Sequence, residues 1–250
     1  MAESPVDRAF AVLRATATGA GRTLSEIARG TGLPKSTVSR MLTALERNGA
    51  VARVGDSYRL GPLVQELDPL PRSPEIERLQ VALTPYLAQL FEATRATVHL
   101  ATLHGDEVVY LNKLHGPNPI PSPSRIGGGL PAYCTGVGKA MLAFDPEAAD
   151  RVSSGPFVAW TATTLPDAEA LAVELAEIRR RRRAIDRAEL TEGLYCVAAP
   201  VFDPDGRPVA ALSASAAEPA ALRHLEPRVL RIADSATRQG LARSWPPREA

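Results

Sequence analysis

Cysteine is nearly absent from this chain of 250 residues: Cys134 and Cys196 are the only two. Two thiols exclude a disulfide framework and suit a reducing compartment. No run of apolar residues is long enough to span a bilayer, so no membrane partner is expected. The opening Met1-Ala2-Glu3-Ser4-Pro5 lacks the basic and apolar regions of a secretory signal, and the expected location is cytoplasmic. Internal repeats, phosphate-cradling glycine loops and standard metal-ligand spacings are also missing. No cofactor and no metal are therefore expected. Hydrophobic residues at 45% and charged residues at 23% are the proportions of a folded globular protein, which excludes disordered and low-complexity classes.

A charge excess is lacking too, with 29 Lys+Arg against 28 Asp+Glu for a net +1. That total conceals an asymmetry. Residues 1–61 hold nine basic and five acidic side chains, a net +4, and the remaining 20 and 23 give −3. A basic head is balanced by an acidic body.

Within the head, Ser4 can cap a first helix, and Pro5 fits its first position, where a missing N–H costs nothing. Val6, Phe10 and Leu13 keep helical spacing until Gly19 and Gly21. A second short helix puts Leu24, Ile27 and Ala28 on one face, and Gly32 turns the chain. From Pro34 a third helix turns Val38, Met41, Leu42 and Leu45 inward and stops at Asn48-Gly49. Two helices joined by a tight glycine turn form the helix-turn-helix plan. The outer face of the third helix carries Lys35, Ser36, Thr37, Ser39, Arg40, Thr43 and Arg47, with Glu46 its only acid. Short hydroxyls beside cations at a positively polarised helix start suit phosphates and base edges together. Residues 51–54 and 57–60 then read as a hairpin around Gly55-Asp56, the wing of a winged helix-turn-helix, from which Arg53 and Arg59 can reach DNA.

The stretch Leu24-Ser25-Glu26-Ile27-Ala28 … Thr31-Gly32-Leu33-Pro34-Lys35-Ser36-Thr37-Val38-Ser39-Arg40-Met41-Leu42 … Leu45-Glu46 … Gly49 … Tyr58-Arg59-Leu60-Gly61 closely resembles the DNA-binding region of IclR-family transcriptional regulators. The similarity covers nearly the whole chain. It implies an α+β protein with an N-terminal winged helix-turn-helix domain and a C-terminal antiparallel-sheet, GAF-like effector-binding domain. The expected divisions are residues 1–66, a linker helix over 67–95 that contributes to dimer contacts, and an effector domain over 96–250. DNA contacts are expected from Ser25, Pro34, Lys35, Ser36, Thr37, Ser39, Arg40, Thr43, Arg53 and Arg59.

In the body, residues 62–74 are rich in proline and acid, and helical spacing resumes at Ile76, Leu79, Leu83, Leu87 and Leu90, with a kink expected at Pro85. Strands are expected over 97–103 and 108–111, and again over 194–202 and 209–215 around Asp203-Pro204-Asp205-Gly206. Helices are expected over 135–142, from 166 or 167 to about 183, and over 219–241. An irregular loop of prolines and glycines is expected over 116–131. Hairpin strands mixed with helices imply an antiparallel sheet. The run Arg179 to Arg183 reads as a solvated helix C-terminus, where cations suit the dipole.

The resemblance also implies a ligand site. Gly129-Leu130-Pro131 … Thr135-Gly136-Val137-Gly138-Lys139-Ala140 looks like the family's pocket loop and following helix. Ala184-Ile185-Asp186 … Glu189 … Gly193-Leu194-Tyr195-Cys196-Val197 looks like its next signature, and Ser213 and Ser215 match its serine pair. The expected effector residues are thus Leu130, Gly136, Val137, Asp186, Cys196, Ser213 and Ser215, holding a small organic acid. Gly136 and Val137 would lend backbone N–H groups to a carboxylate, whereas Asp186 would meet a hydroxyl or be protonated. Two stretches depart from the family pattern: Arg182-Arg183 replace a glycine and an aromatic, and the prolines from Pro117 to Pro123 replace a more apolar pocket edge.

The expected function is a ligand-responsive regulator, a repressor among its keywords, that binds a near-palindromic double-stranded operator as a homodimer or homotetramer. The alternative is a cysteine-dependent enzyme or redox sensor on the same sheet, built from Cys134 or Cys196 with His99, His104, His115 or His224. None of these sits in a nucleophile motif, so no catalytic residue is assigned. A further rival is a DNA-binding protein whose body serves only oligomerisation.

Overall fold

A computed structural model describes residues 4–17, 21–66, 73–118 and 120–241. The chain divides into two compact units, Met1–Pro69 and Leu70–Ala250.

The smaller unit begins with α1 (Pro5–Thr16), whose first turn is closed by a reciprocal pair: Ser4 Oγ accepts from Asp7 N, and Asp7 Oδ2 accepts from Ser4 N. Such a capping box contributes about 1 kcal/mol. Thr23 and Glu26 repeat the device at α2 (Leu24–Thr31), which ends on Gly32 in the left-handed conformation. α3 (Lys35–Arg47) follows, with Pro34 at its N-cap. Val12, Ile27, Ala28, Val38, Leu42 and Val51 form the small core; the spacing predicts this for α2 and α3 but not for α1, where Val12 is buried and the expected Val6 and Phe10 are exposed. The hairpin pairs β2 (Val51–Val54) with β3 (Ser57–Leu60), and an unanticipated two-residue strand, β1 (Arg22–Thr23), adds to the free edge of β3. α4 (Pro62–Glu66) closes the described part of this unit. Gly19 and residues 67–72, where the first helix and the linker were expected to end and begin, lie outside the described residues.

The larger unit is an antiparallel six-stranded sheet in the order β6-β5-β4-β9-β8-β7. Its strands are β4 (Thr97–His104), β5 (Glu107–Leu114), β6 (Gly129–Pro131), β7 (Ala184–Arg187), β8 (Tyr195–Phe202) and β9 (Pro208–Ala216). β5 runs three residues beyond the expected strand, and β6 and β7 are too short to show a period of two. One face of the sheet is largely apolar: Val98, Leu100, Val197, Ala199, Leu212 and Ala214 pack against α5 (Pro74–Thr94) and α9 (Leu222–Ser235), and Asn112 on that face donates 3.1 Å to Thr84 Oγ1 of α5. Leu79, Leu83, Leu87 and Leu90 of α5 are buried in that core, and the helix continues past Pro85. The opposite face packs against α6 (Gly136–Leu142) and α8 (Ala168–Arg181), with α7 (Pro146–Ser153) beside them. α7 was not foreseen, although Asp145 caps it and Pro146 starts it.

The arginine run does end a helix. Arg180 and Arg181 pair with Glu177, Arg179 Nη1 donates 3.1 Å to Ala143 O, and Arg183 Nε lies 2.5 Å from Glu226. Arg182 caps the helix in the left-handed region, and its guanidinium lies 5.0 Å from the Phe202 ring.

Candidate functional site

Two surfaces carry functional chemistry, one in each unit. On the head, burial of Val38 and Leu42 turns the opposite side of α3 outward. Pro34, Lys35, Ser36, Ser39, Arg40, Thr43, Arg53 and Arg59 are exposed, and Ser25 and Thr37 are half-buried. No side chain caps α3, so its first N–H groups keep their capacity for a phosphate. Two expected contacts are partly spent inside the head. Thr43 Oγ1 donates 3.0 Å to Ser39 O, and Arg53 folds onto the wing turn, with Nε 3.0 Å from Gly55 O.

In the body, a cavity lies beneath α6 on the sheet face that carries polar residues. Register builds that face. His99 stands opposite both Lys113 and Ser213, and one step along, Ser215 stands opposite Thr97 and Cys196, with Asp186 opposite Cys196. Directly opposed residues point to the same face of an antiparallel sheet, so two polar rows cross the strands. The start of α6 lies over these rows, and Gly138 is packed against the turn before it. A Cβ on Gly136 would lie 3.5 Å from the Cβ atoms of Ala198 and Cys196, and one on Gly138 would strike Ala132 O.

Of the expected effector residues, Leu130, Gly136, Val137, Asp186, Cys196 and Ser213 line this cavity. Ser215 does not, and its Oγ lies 3.2 Å from Cys196 Sγ instead. Sequence reasoning gave no ligand role to His99, Tyr110 or Leu190, which also line it, whereas Ser122 and Pro123 lie in the stretch expected at the pocket edge, and Thr135 and Leu194 lie in the family signatures. The cavity volume is about 20 Å³, room for a water molecule. Burial pushes the Asp186 carboxyl up to about 7, although the Glu189 amide donates to Oδ1 at 2.9 Å. Burial also drives the His99 imidazole down to about 3, helped by the charge of Lys113, so the ring is neutral.

Beside the cavity, Lys139 is wholly buried, its Nζ 2.5 Å from Glu189 Oε1, 3.4 Å from Glu174 Oε1 and 2.8 Å from Ile185 O. Its charge is thereby spent on the loop after β7. Both thiols are buried, and burial pushes Cys134 up to about 12 and Cys196 upward as well. Neither is a thiolate near neutral pH, so neither has the character of a nucleophile or redox sensor. Among the described residues, no cluster of His, Cys, Asp or Glu could hold a metal, and no helix is long and apolar enough to cross a membrane.

Family models match both units. The family described as IclR helix-turn-helix domain matches residues 5–55, and that described as bacterial transcriptional regulator IclR C-terminal matches residues 76–239. This chain belongs to the IclR family. It is a DNA-binding transcriptional regulator with a ligand-binding C-terminal domain, not an enzyme. Among its IclR relatives, the probable transcriptional regulator SauR of Cupriavidus necator is 35% identical over 214 residues, 82% of this chain and 83% of that protein. KdgR of Escherichia coli is 31% identical over 85% of this chain and 81% of its own length. The crystal structure of the Thermotoga maritima IclR superposes with a TM-score of 0.68 at 28% identity, over 94% of this chain and 97% of that one. An IclR homologue from Microbacterium hydrocarbonoxydans, complexed with 4-hydroxybenzoate, gives 0.65 at 28% identity over 94% and 99%.

Strand register brings His99 to the cavity. His99 and Ser213 lie in strands far apart in the chain, and only the pairing of β4 with β9 makes them neighbours. The polar His99 between the apolar Val98 and Leu100 of β4 was the available signal.

Proposed function

We propose that this regulator grips a near-palindromic operator as a dimer or tetramer, and that a small organic acid entering the cavity beneath α6 changes that grip. A single recognition helix makes few base contacts, so two heads must share the site, and two-fold pairing of heads calls for two-fold DNA. DNA contact is assigned to Lys35, Ser36, Ser39, Arg40 and Arg59 on the exposed face, with Pro34 at the helix start and Ser25, Thr37, Thr43 and Arg53 at its margins. Such a protein works where the DNA is, in the cytoplasm. Residues 1–66 would serve as the head, 67–95 as the connection and 96–250 as the sensor.

The observation that carries the sensing half is the convergence of Ser213, Asp186, Cys196 and the Gly136–Val137 segment on one enclosed cavity. Fully apolar packing would be the cheaper use of a core, because a buried polar group costs free energy unless it is matched. The 4-hydroxybenzoate held by the Microbacterium homologue supports an acid as the matching ligand. A cavity of about 20 Å³ admits one only when its wall at Ser122 and Pro123 moves outward, and that displacement couples occupancy to the rest of the protein.

Selection of bound duplexes from a random-sequence library should return a near-palindrome. A thermal-shift screen of small carboxylates, aromatic acids and sugar acids should raise the Tm with at least one class. Asymmetric single sites, or no response to any acid, would overturn the corresponding half of the reading.

A further inference from the structure

The cavity is lined by no lysine or arginine among the described residues, which is unexpected for a seat that takes an anion. The nearest available cation is one step back along a polar chain. Lys113 Nζ donates to Ser124 O at 2.9 Å and to Ser124 Oγ at 3.0 Å. Ser124 Oγ lies 2.9 Å from His99 Nε2 and 2.6 Å from Ser122 Oγ. His99 Nδ1 in turn faces Ser213 Oγ at 3.5 Å. His99, Ser124 and Ser213 are buried.

Proton counting leaves two arrangements of this chain. An ammonium only donates, so Ser124 Oγ gives a lone pair to Lys113 and has one proton of its own to place. In one arrangement that proton goes to His99 Nε2. Nδ1 then carries the ring proton and donates to Ser213, whose own hydroxyl turns into the cavity. In the other, His99 Nε2–H donates to Ser124, Nδ1 is bare, and Ser213 donates to it, leaving only lone pairs facing the cavity.

Lys113 decides between them. A hydroxyl bonded to a cation becomes a stronger donor, and a neutral imidazole nitrogen is a better acceptor than the Ser122 hydroxyl. The reverse arrangement would aim the positive end of Nε2–H at an oxygen already facing an ammonium. We infer that Lys113, acting through Ser124 and His99, holds the Ser213 hydroxyl as a hydrogen-bond donor into the cavity, and that these three are positioning residues selecting a carboxylate. The inference rests on the reading of the cavity as an acid site, and it adds three residues that the family signature did not supply. The proline-rich loop joins the relay through Ser122 and Ser124, whose hydroxyls lie within hydrogen-bond distance of each other.

Nitrogen-15 labelling of histidine tests the relay without a ligand. Two-bond nitrogen–proton correlation spectra at neutral pH, with His99 assigned by His99→Gln, should show the Nδ1–H tautomer. Lys113→Met and Ser124→Ala should shift it toward Nε2–H. An Nε2–H tautomer in the unaltered protein, or an Nδ1–H pattern indifferent to both substitutions, overturns the relay. Calorimetric titration with formate, pyruvate and 4-hydroxybenzoate, each beside its neutral amide, tests selection. Lys113→Met should weaken the binding acid by about tenfold, the scale of one charge-assisted hydrogen bond, and leave the amide unchanged. Equal losses for acid and amide overturn the selectivity. Failure of all three acids to bind the unaltered protein counts against the acid-sensing reading, while the tautomer still decides the relay.

Discussion

On α3 the polar side chains face water, whereas on the six-stranded sheet they face a buried helix. The head displays Lys35, Ser36, Ser39 and Arg40 on an exposed face whose other side is held by Val38 and Leu42. Among the described residues, no hydrogen bond or ion pair within the head engages those side chains, which suits the large, charged, external partner proposed for them. The body does the reverse. His99, Ser213, Ser215 and Asp186 are buried on one face of a sheet whose other face is mostly apolar. Polar groups placed there at a cost in folding free energy call for a small internal partner. Under the proposed function, the two units read their partners by opposite physics, long-range charge in one and desolvated hydrogen bonding in the other.

The contrast breaks most severely at Lys139. Replacing it with Met strands Glu189, itself 2% exposed, without its 2.5 Å partner. A loss of about 3–5 kcal/mol is expected for the body in urea unfolding, with the transition of the head unmoved. A loss of less than about 1 kcal/mol would contradict a stabilising role for the buried pair.

Next in size is the pH response of Asp186. The unfolded carboxyl releases its proton near 3.8 and the folded one near 7, so between those values the folded state holds the extra proton. Raising the pH through that window therefore removes stability, by at most a few kcal/mol at about 1.4 kcal/mol per pKa unit. Glu189 and Lys139 face the same loop, so the comparison is made against Asp186→Asn, which should lack this fall. Parallel pH profiles for the two proteins would contradict a raised Asp186.

Arg40→Ala belongs to the outward-facing surface. Operator affinity should drop by about 1–3 kcal/mol per head, with thermal stability changed by no more than about 0.5 kcal/mol. An unchanged gel shift removes Arg40 from the interface. Smallest of all, Cys134→Ser and mild oxidants should leave operator binding as it was, because burial holds that thiol protonated up to about 12. Sensitivity to either would revive the redox alternative.

Legibility in the sequence followed the same divide. The head was readable because its signals are local: a capping serine before Pro5, a glycine at 32, and an apolar stripe whose opposite face carries the cations. The cavity was readable only where a family signature supplied the residues. Of its remaining members, His99 depends on a pairing between strands distant in the chain, β4 with β9, which sets it beside Ser213. β7 was invisible because four residues, Ala184–Arg187, show too few alternations for a period of two. Ser215 matched the family's serine pair and yet turns to Cys196, since neighbours on one strand face can still meet different partners.

The most direct test is operator binding by the Ser213→Ala/Ser215→Ala double variant, followed by fluorescence anisotropy with and without the carboxylate that raises the Tm of the unaltered protein. Undiminished operator affinity, together with loss of the carboxylate's effect, is the predicted result. A double variant that responds to the acid as the unaltered protein does would contradict the placement of sensing in this cavity.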